Sequence, residues 1–258
     1  MKRLVRTEML IGSDAIERLK SSRVAVFGLG GVGGHVVEAL ARSGIGTLDI
    51  VDGDVVDESN INRQIIATTE TVGMAKVDAF EERIRLINPD AVVNKHHLFY
   101  LPSKDSSCDS NREPASTEGS DFDFTCYDYV VDAIDTVAAK LDIIEKCTVS
   151  GTPIISAMGC GNRLDPTKLV VTDINKTEMD PLAKVMRKEL RNRGIKKLKV
   201  VSSTEQPIKY DEEDEKIKQI LSEESAKKRH IPGSTAFVPG AAGLIIASEV
   251  VRDLITPS

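Results

Sequence analysis

Gly28-Leu-Gly30-Gly31-Val-Gly33 is spaced to hold phosphate. Glycines let the backbone come close to phosphate oxygens, and a helix opening just beyond them supplies unpaired N–H donors and a positive dipole end. Asp52 closes the next apolar run and can accept hydrogen bonds from a ribose. So far the pattern also fits a dinucleotide fold holding NAD. Three further features fit NAD less well: Asn60-Ile-Asn62-Arg63-Gln64, Lys76 and Asp135. Brought to one crevice, two cations and a carboxylate suit a triphosphate with Mg²⁺. Arg63 and Lys76 would neutralise charge on the β- and γ-phosphates, and Asp135 would hold the metal. Taken singly, each of the three has a plainer alternative, an exposed charge in a surface ion pair.

These residues need a scaffold whose strand ends converge. Arg23–Phe27 is short, apolar and β-branched, as a buried parallel strand is, and it flows into the glycines. Val36, Val37, Leu40 and Ala41 then recur at helical spacing until Gly44 and Gly46 stop the helix. Leu48–Val51 is a second strand ending at Asp52, which completes a βαβ unit. Met74–Ile87 is expected to be helical and to end at Asn88-Pro89. Ala91–His97, Tyr129–Asp135 and Pro153–Ala157 are expected strands, and 138–150 an expected helix. Pro102–Phe124 is rich in Ser, Asp, Glu and Pro and is expected to be a flexible insertion. Beyond it, Leu169–Ile174 and Leu198–Ser203 are expected to flank a helix at Pro181–Arg193; Asp211–Glu215 is a solvated acidic turn or helix start, and Phe237–Leu254 a helix packed on the sheet. The fold class is α/β: a Rossmann-like, mostly parallel sheet with helices on both faces and an antiparallel C-terminal extension. Residues 1–174 form the nucleotide core and 175–258 the extension, within one domain.

Composition excludes several classes. The 258 residues carry 34 Lys and Arg against 40 Asp and Glu, a net charge of −6, and only 4% are aromatic. A strongly basic coat protein or an aromatic base-stacking module is not expected. The four cysteines form no CxxC pair, which argues against structural zinc and a disulfide framework. No stretch has the length of a membrane span, and there is no signal-peptide core, so a cytoplasmic location without membrane insertion is expected. One segment departs from the acidic average. Lys184, Arg187, Lys188 and Arg191 share a helix face, and Arg193, Lys196, Lys197 and Lys199 continue the run with Glu189 as its one acid. A solvated amphipathic face is the default for such a helix. The one-signed density favours a surface that tracks phosphates, which Lys227–His230 would extend.

Gly28–Gly33, Asp52-Gly-Asp54, Asn60–Gln64, Lys76 and Ala133-Ile-Asp135 together resemble the ubiquitin-activating-type (ThiF/MoeB/HesA-like) adenylating superfamily. The resemblance implies adenylation of a carboxylate. It assigns ATP binding to Gly28, Gly30, Gly31, Gly33, Asp52, Asp54, Asn60, Arg63, Lys76 and Asp135. It also implies a homodimer in which Arg6 reaches the partner's site. Ala39–Gly46, Asn62–Gln64, Leu164–Thr167, Val201–Pro207 and Gly233–Pro239 resemble one branch, the tRNA threonylcarbamoyladenosine dehydratases. That branch uses ATP to cyclise the threonylcarbamoyl group on the adenosine beside the tRNA anticodon. The alternatives are an adenylyltransferase for a ubiquitin-like sulfur-carrier protein, whose paired zinc cysteines are absent here, and an NAD-dependent oxidoreductase. By the resemblance the ligands are ATP, Mg²⁺ and modified tRNA, with a sulfur-transfer or carrier partner unassigned. Cys160 could capture an acyl-adenylate, but a small residue in a turn after a strand is the simpler expectation.

Overall fold

The computed structural model describes residues 2–102, 122–211, 214–224 and 232–256, and side chains within these except those of 220–224. Seven strands form one sheet: β1 Arg23–Phe27, β2 Thr47–Val51, β3 Val92–His96, β4 Tyr129–Asp132, β5 Ile154–Ala157, β6 Leu169–Asp173 and β7 Lys199–Ser203. Their spatial order is β3-β2-β1-β4-β5-β7-β6, parallel throughout except for β6, which runs antiparallel to β7 at the edge. The chain therefore winds outward from β1 to β3 and then returns to the other side of β1 as β4. Ligands bind at such a reversal, beyond the carboxyl ends of the strands.

Both faces of the sheet are covered, so its central strands are apolar on both sides. Val24 and Val26 of β1 belong to one core with Leu40, Leu48, Ile50, Phe80, Ile246 and Val250. Their neighbours Ala25 and Phe27 belong to the opposite one with Tyr100, Phe124, Val130 and Ile143. Helix α3 Gly33–Ser43 and the C-terminal helix α8 Phe237–Ile255 pack on each other. Pro239, in the first turn of α8, sits over Gly31 of the glycine-rich loop after β1. Helices α4 Lys76–Ile87, α5 Val137–Ser150, α6 Pro181–Asn192 and α7 Glu215–Glu224 complete the set after β1. Among the described residues, no helix is long and apolar enough to cross a membrane.

The structure departs from the sequence expectations in three places. Two helices precede β1: α1 Val5–Ile11 and α2 Ser13–Ser21. Gly12, at φ +84°, separates them, and Ala15, Ile16 and Leu19 form the buried stripe of α2. Strand β4 ends at Asp132 instead of Asp135, because the Asp132 side chain accepts the Ile134 N–H at 3.3 Å and turns the chain out of the sheet. The insertion is narrower than its composition implied. Phe27 packs on Tyr100, Phe122 and Phe124 with ring centroids 5.3, 5.2 and 5.8 Å away, so aromatic side chains anchor both stems to the sheet. The remainder of the insertion, residues 103–121, lies outside the described residues, as do 212–213 of the acidic run and Lys227–His230.

Strand β2 also carries a fully buried carboxylate, Asp49. Burial alone would raise its pKa. Hydrogen bonds from Arg23 (2.8 and 2.9 Å), His96 (3.1 Å) and Asn94 (3.1 Å) outweigh that and hold it at about 2, below the ordinary 3.8. A depressed carboxylate stabilises the fold fully above its unfolded pKa, and that stabilisation is lost as pH falls toward the folded value. In urea melts between pH 6 and pH 2, Asp49→Asn should flatten the acid loss of stability by about 2 kcal/mol relative to wild type. Parallel curves would assign the acid sensitivity elsewhere.

Candidate active site

The crevice is built at the β1–β4 junction. Gly28, at φ +88°, follows β1, and a Cβ there would lie 2.7 Å from the Ala133 carbonyl oxygen after β4. A Cβ on Gly33 would lie 1.7 Å from the Gly28 carbonyl oxygen. Only glycine lets the loop fold this tightly and begin α3 at once. Gly30 accepts the Gly34 N–H at 2.9 Å as the first helical bond, and the Gly31 carbonyl bonds His35 Nδ1 at 2.8 Å.

Asp52, after β2, bridges this loop to the next. Its Oδ2 accepts the Leu29 N–H at 2.7 Å and its Oδ1 accepts the Asp54 N–H at 2.8 Å. Lys76, the first residue of α4, is buried, with its Nζ 2.9 Å from Asp54 Oδ2 and 3.7 Å from Asp52 Oδ1. The chain runs back from α4 to β2 through paired backbone bonds, with the Lys76 N–H on the Asp54 carbonyl at 3.1 Å. A lysine between two carboxylates can exchange one of them for a phosphate oxygen with little reorganisation.

Arg63 approaches from the turn beyond β2, with its Cγ and carbonyl oxygen beside Gly31. Its Nη1 donates to the Ser59 carbonyl and to Asn62 Oδ1, both at 2.8 Å. Asn60 is spent on the turn itself: it is buried, its Oδ1 accepts the Asp57 N–H at 3.3 Å, and it completes a capping box with Asp57. Asn62 Nδ2 donates to the Ser234 carbonyl at 3.0 Å, which lays the segment before α8 beside the turn. Gln64 and Thr235 flank that contact in sequence. Each buries a side-chain oxygen with no hydrogen-bond partner among the described residues, the kind of atom a polar ligand satisfies.

Asp135 is exposed, two residues beyond the Ala133–Gly28 contact. No group of three or more His, Cys, Asp or Glu side chains is placed to cage a metal among the described residues. One carboxylate beside a phosphate loop fits Mg²⁺, which takes most of its shell from phosphates and water, and does not fit zinc. Arg6 is not brought to this crevice. Leu4 packs on Gly44 at the C-terminal end of α3, whereas the glycine-rich loop lies at its N-terminal end. An 11-residue helix separates the two by about 16 Å.

The basic run divides. Lys184, Lys188 and Arg191 are exposed on α6, and Lys196 and Lys197 are exposed beyond it. Arg187 folds back to donate to the Thr177 carbonyl at 2.8 Å. Arg193 is held by Glu145 and Glu189, both at 2.8 Å, and Lys199 by Asp253 at 2.6 Å and Glu249 at 3.3 Å. The sequence spacing puts Arg187 on the basic helix face and Arg193 and Lys199 in the run that continues it. Tertiary partners, invisible in the spacing, occupy them.

Two buried hubs went unread in the sequence. Lys140 pairs with Asp132 at the foot of the Asp135 loop. Arg163 donates to the carbonyls of Gly159, Gly161 and Met179 and fixes the loop after β5. Cys160 lies in that loop. Burial pushes its thiol up to about 12, against the opposing pull of Arg163, and its Sγ lies 3.7 Å from the Met158 carbonyl.

Residues 2–257 match the ThiF family. The chain is 42% identical over 254 residues to the tRNA threonylcarbamoyladenosine dehydratase of Bacillus subtilis strain 168, covering 97% of this chain and 93% of that protein. Two solved structures of the E. coli tRNA N6-threonylcarbamoyladenosine dehydratase, one in complex with AMP and one with ATP, each align with a TM-score of 0.79 at 30% identity. Each alignment covers 98% of this chain and 94% of that one.

A thiol near 12 is almost wholly protonated at neutral pH. Cys160 should therefore react with iodoacetamide at pH 8 at least about a hundredfold more slowly than free cysteine, as read by peptide mass mapping. Reaction at the free-cysteine rate would show that burial does not suppress this thiol.

Proposed function

The chain belongs to the ThiF family, and we propose that it catalyses the ATP-dependent dehydration of N6-threonylcarbamoyladenosine beside the tRNA anticodon. One observation carries this reading: the phosphate loop, Arg63, Lys76 and the Asp135 loop gather at one strand crossover in a chain that resembles the B. subtilis dehydratase from end to end. The threonyl carboxylate is a poor electrophile. Its oxygen attacks the α-phosphate of ATP, pyrophosphate leaves, and the carboxyl carbon now carries AMP as a leaving group. The neighbouring carbamoyl group closes on that carbon, AMP departs, and the net change in the nucleoside is loss of one water. Both reacting groups sit in one molecule, so ring closure benefits from high effective molarity and needs no protein nucleophile.

Arg63 and Lys76 offset the negative charge that develops on the phosphates. Asp52 orients the ribose, and Gly28–Gly33 lies along the phosphates. Asp135 would hold Mg²⁺, which would supply further charge neutralisation there. Arg6 enters from the second protomer of a homodimer. Its distance from its own crevice supports this, and so does its position on α1 beside the exposed apolar side chains Val5, Met9 and Leu10. The tRNA backbone crosses Lys184, Lys188, Arg191, Lys196 and Lys197, with Arg187 and Arg193 at its margin, so phosphates position the substrate and the modified nucleoside is read in the crevice. A cytoplasmic location fits a tRNA substrate.

Pyrophosphate and AMP release should require threonylcarbamoylated tRNA. A ubiquitin-like carrier protein should not replace it, and NAD should not turn over. Release with the carrier alone would overturn the reading. Asp135→Asn should lower turnover by at least about a hundredfold if the metal is lost with the carboxylate. Reversing Lys184, Lys188 and Arg191 to Glu should reduce the salt slope of tRNA binding by about 2 to 3. An unchanged slope would remove α6 from the interface.

A further inference from the structure

Asp132 and Lys140 form an ion pair 2.9 Å long in which neither side chain has any exposure (0% and 0%). Ser156 Oγ donates to Asp132 Oδ2 at 2.5 Å and completes the carboxylate's shell. Taking two charges out of water is costly, and an apolar pair of similar volume is often as stable or more so. Stability therefore does not account for this pair, and its contacts point elsewhere. Lys140 Nζ also donates to the Ile134 carbonyl at 3.1 Å, and the Ile134 N–H donates to Asp132 Oδ1 at 3.3 Å. Both backbone polar groups of the residue just before Asp135 are thus held by the two partners of one dry ion pair.

The rest of the turn is bracketed in the same way. The Ala133 N–H donates to the Phe27 carbonyl at 2.8 Å, and the Lys140 N–H donates to the Thr136 carbonyl at 3.0 Å. Lys140 therefore grips the turn on both sides of Asp135, through its ammonium and through its backbone. Neither Asp132 nor Lys140 reaches the crevice surface. Both act from beneath the exposed carboxylate.

We propose that the Asp132–Lys140 pair is the positioning device for Asp135: it fixes the Ile134 peptide and thereby sets where the Asp135 carboxylate meets the metal on the triphosphate. The inference rests on Asp135 as the metal ligand. Outer-shell partners of this kind are typically worth about 10- to 100-fold in metal affinity.

The test measures how strongly Mn²⁺ enhances binding of α,β-methylene ATP, whose bridge adenylation cannot break. Lys140→Met alone leaves Asp132 buried and unpaired, so folding itself is at risk. The double variant Asp132→Asn with Lys140→Met is neutral, keeps an acceptor for the Ile134 N–H and removes only the grip on its carbonyl. It should melt close to wild type and bind the analogue normally without metal, while losing about tenfold or more of the Mn²⁺ enhancement. Asp135→Asn should lose the same enhancement. Asp132→Asn with Lys140→Gln restores a donor beneath Ile134 and should recover part of it. A merely structural pair would move the melting temperature and the metal-free affinity instead. Wild-type enhancement in the Asn/Met variant, with Asp135→Asn impaired, overturns the positioning role alone. Wild-type enhancement in Asp135→Asn overturns the metal-ligand reading and this inference with it. If the Asn/Met protein does not fold, Ser156→Ala carries the same test, with reduced enhancement expected and unchanged enhancement contradicting.

Discussion

Two loops leave the sheet side by side where β1 meets β4, and they touch because Gly28 has no side chain. The Ala133 carbonyl occupies the space a Cβ would need. In-register parallel pairing from Val24–Tyr129 to Phe27–Asp132 delivers both loops to the same height. Everything chemical follows from that contact. The glycine-rich loop and the Asp135 turn stand side by side, and the Asp52 carboxylate ties the loop to the end of β2 through the Leu29 N–H. Pro239 of α8 closes over Gly31, so the last helix of the chain is joined mechanically to its first motif.

The charges around this junction are arranged in graded burial. Asp132 and Lys140 are dry and fixed, Lys76 is buried but shared between two acids, and Asp135 stands in solvent. Such an order suits phosphate chemistry. Inner pairs hold backbone geometry without competing for ligand, and outer groups are set to change partners when phosphate arrives. Burial pushes the thiol of Cys160 up to about 12, which leaves it protonated at neutral pH. Ring closure within one substrate molecule has no need of it.

The core of the site was legible because its residues are constrained by spacing: a strand, glycines at fixed intervals, a helix, and an acid at the end of the next strand. Asp135 was legible as a polar residue after an apolar run, although the strand itself stops at Asp132. What escaped is what spacing cannot encode. Lys140 stands in α5 as any surface lysine would, yet it is fully buried because Asp132 and the Ile134 carbonyl are waiting beneath it. Arg193 and Lys199 continue the basic run in the sequence, yet acids distant in sequence, Glu145 and Asp253, pair with them. Phe122 and Phe124 were hidden in a polar stretch and turned out to be its anchors. The net charge of −6 likewise averages over a local excess of exposed bases, Lys184, Lys188 and Arg191, on α6.

The mechanism requires that the threonyl carboxylate be activated as an adenylate before the ring closes. Threonylcarbamoylated tRNA labelled with ¹⁸O in both carboxylate oxygens tests it directly, because the oxygen that attacks the α-phosphate must stay with phosphorus when the C–O bond breaks. Mass spectrometry of the products should find one label in AMP, one in the cyclised nucleoside and none in pyrophosphate. Unlabelled AMP, or label in pyrophosphate, would contradict the mechanism.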